Sequence, residues 1–173
     1  RRDAERQLGL VWERDAIDPD GAVNADYVAL ELDAGLSHGA APWDNLIIEG
    51  DNYDALRALR MSHSGAIRCI YIDPPYNTGG DGFLYKDSFR HSSWASMIHD
   101  RLAAAKPLLA RNGVLFASID EKERTQLELQ LKQTFGAGNR VEELIWAQNS
   151  TKNQSPTYST NHEYVQVYAR DLE

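Results

Sequence analysis

The chain has little cysteine and lacks any long hydrophobic run. Its single cysteine, Cys69, excludes an internal disulfide, and its place in an apolar stretch predicts a small buried side chain. The first residues, 1–6, lack the apolar core of a signal peptide, and no run of 18 apolar residues is present to span a bilayer. We therefore predict a cytoplasmic protein with no membrane partner.

The motifs of several common cofactor and metal sites are also absent. The sequence contains no G-x-G-x-x-G, no G-x-x-x-x-G-K-[ST] and no H-E-x-x-H. Dinucleotide-binding, Walker-type and zincin interpretations are therefore unsupported. The five histidines have no metal-ligand spacing, and one cysteine cannot complete a zinc set. We predict no metal.

An excess of positive charge, the usual sign of a nucleic-acid-binding protein, is absent too. The net charge is −8, but residues 1–51 hold 4 Lys+Arg against 12 Asp+Glu, and the rest of the chain holds 14 of each. Phosphate contacts depend on local cationic patches rather than on net charge. Any contacts of this chain with nucleic-acid phosphates are therefore either few, through residues such as Lys86, Arg90 and Lys152, or made mainly elsewhere on a longer chain.

What is present suffices for one folded core. The chain has 173 residues, of which 42% are hydrophobic and 25% charged, with four Trp and eight Tyr. Residues 1–42 read as an acidic appendage, and residues 43–173 alternate between strand and helix patterns. Strands are predicted at 46–49, 67–73, 114–119, 142–146 and 164–168, and helices at 54–61, 94–110 and 121–135, with Asn112-Gly113 ending the second helix. This alternation predicts an α/β, Rossmann-like fold with a mostly parallel sheet.

The most informative stretch lies where the second predicted strand ends. Its apolar, β-branched-rich residues predict a strand buried on both faces, and Asp73, Pro74, Pro75 and Tyr76 follow. Ligands of open α/β sheets bind beyond the carboxyl ends of the strands, and two prolines there fix φ and remove two N–H donors. A carboxylate, a carbonyl without a local partner and a ring can together accept two hydrogen bonds from a planar amine and stack on the ring that carries it. An exocyclic base amine fits that description.

Asp73-Pro74-Pro75-Tyr76 resembles the catalytic tetrapeptide of S-adenosylmethionine-dependent DNA amino-methyltransferases, which methylate adenine N6 or cytosine N4. The flanking segments resemble, more narrowly, the permuted (beta) class and the modification subunits of type III restriction systems. The segments that carry this resemblance are 46–52, 55–59, 77–79, 83–89, 94–102, 113–120, 135–139 and 162–164. Their order and spacing, over roughly residues 43–170, are more specific than the tetrapeptide alone.

The resemblance implies a catalytic role for the tetrapeptide and a substrate role for the residues after it. Asp73 and the carbonyl of Pro74 would accept the two amino hydrogens of a base that has left the helix, in a turn completed by Pro75. Tyr76 would stack on that base, and Asn77-Thr78 would shape the substrate pocket.

The implied cofactor is S-adenosylmethionine. The resemblance implies that Asp51, assisted by Asn52, contacts its adenine moiety and that Asp73 also borders it; an ordinary helix N-cap is the alternative for Asp51. Trp94 opens a predicted helix and is expected to anchor the core. Asp120 closes a predicted strand and is expected to be structural.

The resemblance covers only part of such an enzyme. The chain does not start with methionine and contains no Phe-x-Gly-x-Gly-type loop. We therefore predict that the target-recognition region and the Gly-rich cofactor loop lie beyond residue 173, and that this piece alone is inactive. Double-stranded DNA is the implied partner, with a restriction subunit and a second copy, as a homodimer, as further partners.

Alternative functions stay open on the sequence alone. Adenine N6 is favoured because an aspartate stands first in the tetrapeptide and the flanks resemble type III subunits, but cytosine N4 uses the same geometry. A non-catalytic module that binds DNA or a partner, from a truncated modification subunit, is the alternative outside the enzyme class. The missing Gly-rich loop favours that module, and the intact tetrapeptide argues against it.

Overall fold

The computed structural model describes residues 29–42, 45–78, 91–147 and 161–173. Helices and strands alternate over most of this part of the chain. In chain order the elements are α1 (Asn52–His63), β1 (Ile67–Ile72), α2 (His91–Ala105), β2 (Leu109–Ile119), α3 (Arg124–Phe135), β3 (Arg140–Ala147) and β4 (His162–Ala169). No helix within the described ranges is long and apolar enough to cross a membrane.

The described strands form one sheet in the order β1-β2-β4-β3. β1 and β2 pair in parallel, whereas β4 is antiparallel to both β2 and β3. The predicted α/β fold class is confirmed, but the sheet of the described residues is mixed rather than mostly parallel, with one parallel and two antiparallel pairings. Because β4 runs against β2, Tyr164 near its start pairs with Ile119 at the end of β2. The beginning of β4 therefore lies at the same end of the sheet as the carboxyl end of β1.

The core is formed by apolar side chains of α2, α3, β2 and β4. In β2 every second residue from Leu115 to Ile119 is fully buried, as the period of two of a strand requires. In α3 the buried residues Leu127, Leu131 and Phe135 recur every four positions along one face. Truncating such a buried leucine to alanine costs about 2–5 kcal/mol, so these positions fix how α3 lies on the sheet.

The predicted strand at 46–49 is not formed. These residues have no regular structure, and Leu46 and Ile47 are exposed. No strand in the described part of the chain pairs with them. A short apolar run becomes a strand only where a neighbouring strand accepts its backbone hydrogen bonds, so the local pattern was insufficient.

The second predicted helix ends earlier than expected, and Asn112-Gly113 does not stop it. α2 ends at Ala105, and a 3₁₀ turn at Lys106–Leu108 leads directly into β2. Pro107 has no N–H to continue an α-helix and disfavours the helical conformation of the residue before it. Gly113 instead lies inside β2, where a Cβ atom would be 2.9 Å from the carbonyl oxygens of both Ala110 and Ile67. Glycine is needed there because β1 and β2 approach closely.

The expectation that β1 is buried on both faces was wrong. β1 is an edge strand of the described sheet, Tyr71 is 62% exposed, and Cys69 is exposed rather than buried. Only Ile67, Ile70 and Ile72 pack partly against the core. An apolar, β-branched composition predicts a strand, but burial depends on what covers each face.

Two cationic side chains lie at the end of the sheet away from the carboxyl end of β1. Lys106 donates from Nζ to the carbonyl of Thr134 in the last turn of α3 at 2.6 Å, and Arg170 donates from Nη1 to the carbonyl of Lys106 at 3.0 Å. Positive charge at a helix carboxyl end opposes the helix dipole. Burial, with the nearby charge of Arg170, lowers the pKa of Lys106. These two residues therefore stabilise helix ends.

Candidate active site

The tetrapeptide lies at the carboxyl end of β1, as predicted. β1 ends at Ile72, and Asp73 follows with an exposed side chain. Pro74 is buried, while Pro75 and Tyr76 are half-buried. The acid is thus accessible at the carboxyl end of β1, while the residues after it pack against the protein.

Ser118 of β2 holds the carboxylate of Asp73. Ile72 pairs with Ala117 in the parallel ladder, so Ser118 comes next to Asp73. Its side chain is buried, and its Oγ lies 2.7 Å from Asp73 Oδ1 and 3.3 Å from the carbonyl oxygen of Ile72. The shorter contact is the hydrogen bond to the carboxylate, which fixes one of its two oxygens.

Glu163 of β4 holds the hydroxyl of Tyr76. The hydroxyl donates to Glu163 Oε2 at 3.2 Å. Burial raises the pKa of Tyr76 above its ordinary value; a hydrogen bond with Ser118 opposes this rise, and the charges of Asp73 and Glu163 add to it. The Tyr76 side chain is therefore neutral at physiological pH, with its hydroxyl among two carboxylates and a serine.

Trp94 of α2 holds the carbonyl of Pro75. The predicted role of Trp94 as a core anchor is confirmed, because its side chain is fully buried. Its indole Nε1 also donates to the Pro75 carbonyl oxygen at 2.6 Å, a contact that the sequence did not reveal. A buried indole N–H needs an acceptor, but the sequence pattern does not say which carbonyl supplies it.

Asn77 turns inward rather than lining an open pocket. It has φ of 60°, a left-handed conformation that asparagine tolerates, and its side chain is buried. Its Nδ2 donates to Glu123 Oε1 at 2.5 Å, and its carbonyl oxygen accepts from the ammonium of Lys122. Thr78, by contrast, is exposed. A contact of either residue with a substrate stays a prediction.

Glu123 is a buried acid that the sequence did not single out. It precedes α3, yet its carboxylate does not cap the helix. Oε1 accepts from Asn77 and lies 2.7 Å from Nδ1 of His91, the first residue of α2. Asn77 and Glu123 are 46 residues apart in sequence, so no short motif could reveal the pair. Nearby, Asp120 accepts from the backbone N–H of Lys122, in keeping with its predicted structural role.

Asp51 and Asn52 lie at the start of α1. Asp51 is the N-cap, since its Oδ1 accepts from the backbone N–H of Tyr53 at 2.8 Å. Arg101 of α2 bonds both residues: Nε lies 2.5 Å from Asn52 Oδ1, and Nη2 lies 3.4 Å from the Asp51 carboxylate. The Asp51 side chain remains 59% exposed. One helix, α2, therefore contacts this pair through Arg101 and the tetrapeptide through Trp94.

Two segments named in the sequence analysis lie outside the described residues. Lys86 and Arg90 fall between the tetrapeptide and α2, and Lys152 falls between β3 and β4. The proposed phosphate contacts of these three cations stay predictions.

The end of β1 thus presents an acid, two prolines and a tyrosine beside its parallel neighbour β2, in an α/β fold. Residues 67–172, from the start of β1 to just beyond β4, match the family model described as DNA methylase. This match covers more than half of the chain, and the chain belongs to that family. The predicted family is thereby confirmed.

Individual relatives agree with the resemblance. The chain is 34% identical over 159 residues to the Mod subunit of the type III restriction-modification enzyme EcoP15I of Escherichia coli, covering 75% of this chain and 24% of that protein. It is 36% identical over 155 residues to the StyLTI Mod subunit of Salmonella typhimurium, covering 73% and 24%. The chain thus spans about a quarter of the length of these curated relatives.

Among solved structures, the cytosine-N4-specific PvuII DNA methyltransferase is similar with a TM-score of 0.51 at 10% identity. The match covers 70% of this chain and 47% of that one. At so low an identity the likeness concerns the fold alone.

Proposed function

We propose that the protein containing this chain is an S-adenosylmethionine-dependent DNA methyltransferase that modifies adenine N6 within a restriction-modification system. The observation that carries the proposal is the placement of Asp73 at the carboxyl end of β1 with one carboxylate oxygen fixed by Ser118. Membership of the DNA methylase family and the resemblance to type III Mod subunits support it.

Two acceptors of the turn are engaged by the protein, and the resemblance to DNA amino-methyltransferases assigns two others to the substrate. Ser118 engages Asp73 Oδ1, and Trp94 engages the carbonyl of Pro75. The second carboxylate oxygen of Asp73 and the carbonyl of Pro74 would accept the two hydrogens of the exocyclic amine. These bonds oppose delocalisation of the nitrogen lone pair into the base and direct it outward.

Tyr76 would hold the plane of the base after it leaves the helix. Enzymes that modify a base extrude it into a pocket and read its edge and faces. Stacking of one base on an aromatic ring contributes about 1–3 kcal/mol. The hydroxyl of Tyr76 is engaged with Glu163, so the ring has a fixed orientation before the base arrives.

The exposed donors and acceptors at the start of α1 fit the cofactor role that the resemblance implies. The carboxylate of Asp51 is largely exposed although it caps α1, so it retains lone pairs for the amine of an adenine ring. Arg101 occupies Asn52 Oδ1, which leaves the amide N–H groups of Asn52 as donors. Asp51 and Asn52 would hold S-adenosylmethionine, with Asp73 bordering the site. When bound, this cofactor supplies an electrophilic methyl group on a sulfonium.

Catalysis in this proposal comes from positioning and electrostatics. Asp73 holds the nitrogen in line for displacement and stabilises the positive charge that develops on it. The amine nitrogen would bond to the methyl group as the bond from that methyl group to the cofactor sulfur breaks, and the methylated amine would then release a proton to solvent. No covalent nucleophile is required, so the proposal gives Cys69 of β1 no role in the reaction.

The organisation of the whole protein is part of the proposal. Residues 1–42 would form an acidic appendage and residues 43–173 the catalytic part, with the target-recognition region and the Gly-rich cofactor loop on the rest of the protein. The naming of the relatives as Mod subunits of restriction-modification enzymes supports double-stranded DNA and a restriction subunit as partners. A homodimer rests on the family resemblance.

Cytosine N4 is the second candidate target. The fold is shared with a cytosine-N4-specific enzyme, so the fold does not by itself select the base. A non-catalytic DNA- or partner-binding module is the third candidate, and it makes no use of the hydrogen bond between Ser118 and Asp73.

Mass spectrometry of nucleosides tests the proposal. DNA would be incubated with S-adenosylmethionine and the full-length protein, beside Asp73→Ala and, as a matched control, Asp171→Ala at the opposite edge of the sheet. We expect N6-methyladenine with the wild type and the control and none with Asp73→Ala. N4-methylcytosine would select the second candidate, and no methylated base from a folded wild type would leave the binding module.

A further inference from the structure

Two polar residues from neighbouring strands hold the reactive turn but are not expected to touch the substrate. Ser118 of β2 contacts Asp73, and Glu163 of β4 contacts Tyr76. We propose that Ser118 and Glu163 are positioning residues of methyl transfer, which act through one hydrogen-bond network on the carboxylate of Asp73 and the ring of Tyr76. This inference rests on the proposed function.

Ser118 sets which oxygen of Asp73 is available. A serine hydroxyl has a single hydrogen, and the carboxylate at 2.7 Å is a closer acceptor than the Ile72 carbonyl at 3.3 Å. Asp73 is exposed, so hydrogen bonds rather than packing limit the rotation of its carboxylate about the Cβ–Cγ axis. With Oδ1 bonded, Oδ2 keeps one direction toward an incoming amine.

Glu163 extends the same network to Tyr76. The antiparallel course of β4 brings its first residues to the edge where β1 ends, and Glu163 Oε2 accepts from the Tyr76 hydroxyl. That hydroxyl also interacts with Ser118 and Asp73. Tyr76 therefore connects residues of β1, β2 and β4.

Each of the two carboxylates has its own hydroxyl donor. The Tyr76 hydroxyl donates to Glu163, and the Ser118 hydroxyl donates to Asp73. The partners are 87 and 45 residues apart in sequence, so tertiary structure alone brings them together.

The Ser118 arm is tested by steady-state kinetics of the full-length protein. Ser118→Ala should lower kcat about 10- to 100-fold, since a small misplacement of a reacting group costs up to about 10²-fold, with KM for DNA within about 2-fold of wild type. Ser118→Thr, which keeps the hydroxyl, should recover most of the rate. Ser96→Ala, at a buried serine of α2 bonded to Ser92, is the matched control.

Three results would count against the role of Ser118. A kcat of Ser118→Ala within about 2-fold of wild type would overturn the role of Ser118, and so would a raised KM with kcat unchanged. A loss of kcat that Ser96→Ala reproduces would also count against it, because it would reflect general destabilisation. Should Ser118→Ala fail to fold, the Glu163 arm decides.

The Glu163 arm is tested by a double-mutant cycle. Glu163→Ala and Tyr76→Phe each remove one side of the same bond and should each lower kcat about 3- to 10-fold. The double variant should lose no more than either single one, because the two residues act as a unit. Glu163→Gln keeps an acceptor and should stay within about 3-fold of wild type, and Glu128→Ala on α3 serves as the control. Additive losses in the cycle would overturn the network.

Failure of this inference is distinguishable from failure of the proposed function. A wild type that methylates DNA, an inactive Asp73→Ala variant and an unaffected Ser118→Ala variant would overturn the network and leave the function standing. A wild type that methylates no DNA would overturn both.

Discussion

Gly113→Ala tests how the pairing of β1 and β2 positions the site. The substitution only adds a methyl group, so its effect is steric. In Gly113→Ala the new Cβ atom would lie 2.9 Å from the carbonyl oxygens of Ala110 and Ile67 and 3.1 Å from a methyl group of Leu109. Two of these three atoms are backbone, so they cannot rotate away, and the ladder between β1 and β2 must shift. Overpacking of this kind costs about 1–3 kcal/mol, and backbone neighbours favour a cost of about 2–3 kcal/mol.

Gly138→Ala is the matched control for this prediction. Nothing lies within 4 Å of its added Cβ, so we expect a change within about 0.5 kcal/mol or a stabilisation of up to about 1 kcal/mol. Urea unfolding of the purified variants, followed by circular dichroism, gives both free energies of unfolding. Gly113→Ala should also reduce methyl transfer, because the same ladder aligns Ser118 with Asp73. Equal stability of the two variants would refute the close approach of β1 and β2.

Further predictions concern side chains near the turn. Trp94→Phe should destabilise the fold by about 1–3 kcal/mol in urea unfolding, because the Pro75 carbonyl loses its donor. Arg101→Ala should raise the Kd for S-adenosylmethionine about 10-fold in calorimetry, since it holds Asn52 and Asp51; an unchanged Kd would contradict this. Burial raises the pKa of Tyr76, so stability present below about pH 10 should fall above it, and Tyr76→Phe should lessen that fall. Cys69→Ser should change the free energy of unfolding by less than about 0.5 kcal/mol.

The sequence predicted those parts of the structure that depend on neighbouring residues. The N-cap at Asp51, which was the alternative to a cofactor contact, the helix after it and the strand that leads to Asp73 all follow from local rules of capping, periodicity and turn composition. The position of the tetrapeptide at a sheet edge followed from the strand that precedes it. These features need no knowledge of distant contacts, and each is present in the structure.

Other features depend on which elements meet in space. The exposure of Cys69 reflects the edge position of β1, and the antiparallel course of β4 brings Glu163 to Tyr76 across 87 residues of sequence. The pair of Asn77 and buried Glu123 is of the same kind. Glu123 resembles an ordinary acid at a helix start, and only the fold distinguishes its buried carboxylate from a solvated one.

The end of α2 could have been predicted from the sequence, but the apolar periodicity was given more weight than a proline. Pro107 lies within the stretch predicted as one long helix, and its missing N–H is the reason that α2 ends at Ala105. The apolar spacing of Leu108 and Leu109 fits a helix face as well as it fits the entrance to β2. Weighting the proline above the apolar period would have given the correct boundary.

The most direct test of the account is the single-turnover rate of methyl transfer by the full-length protein with Asp73→Asn and Asp73→Ala, measured beside the Kd of each variant for DNA. The account predicts a rate lower by about 10²–10³-fold for Asp73→Ala and a smaller loss for Asp73→Asn, which keeps one acceptor, with both DNA affinities close to wild type. Rates within about 10-fold of wild type for both variants would contradict the claim that the Asp73 carboxylate positions the amine.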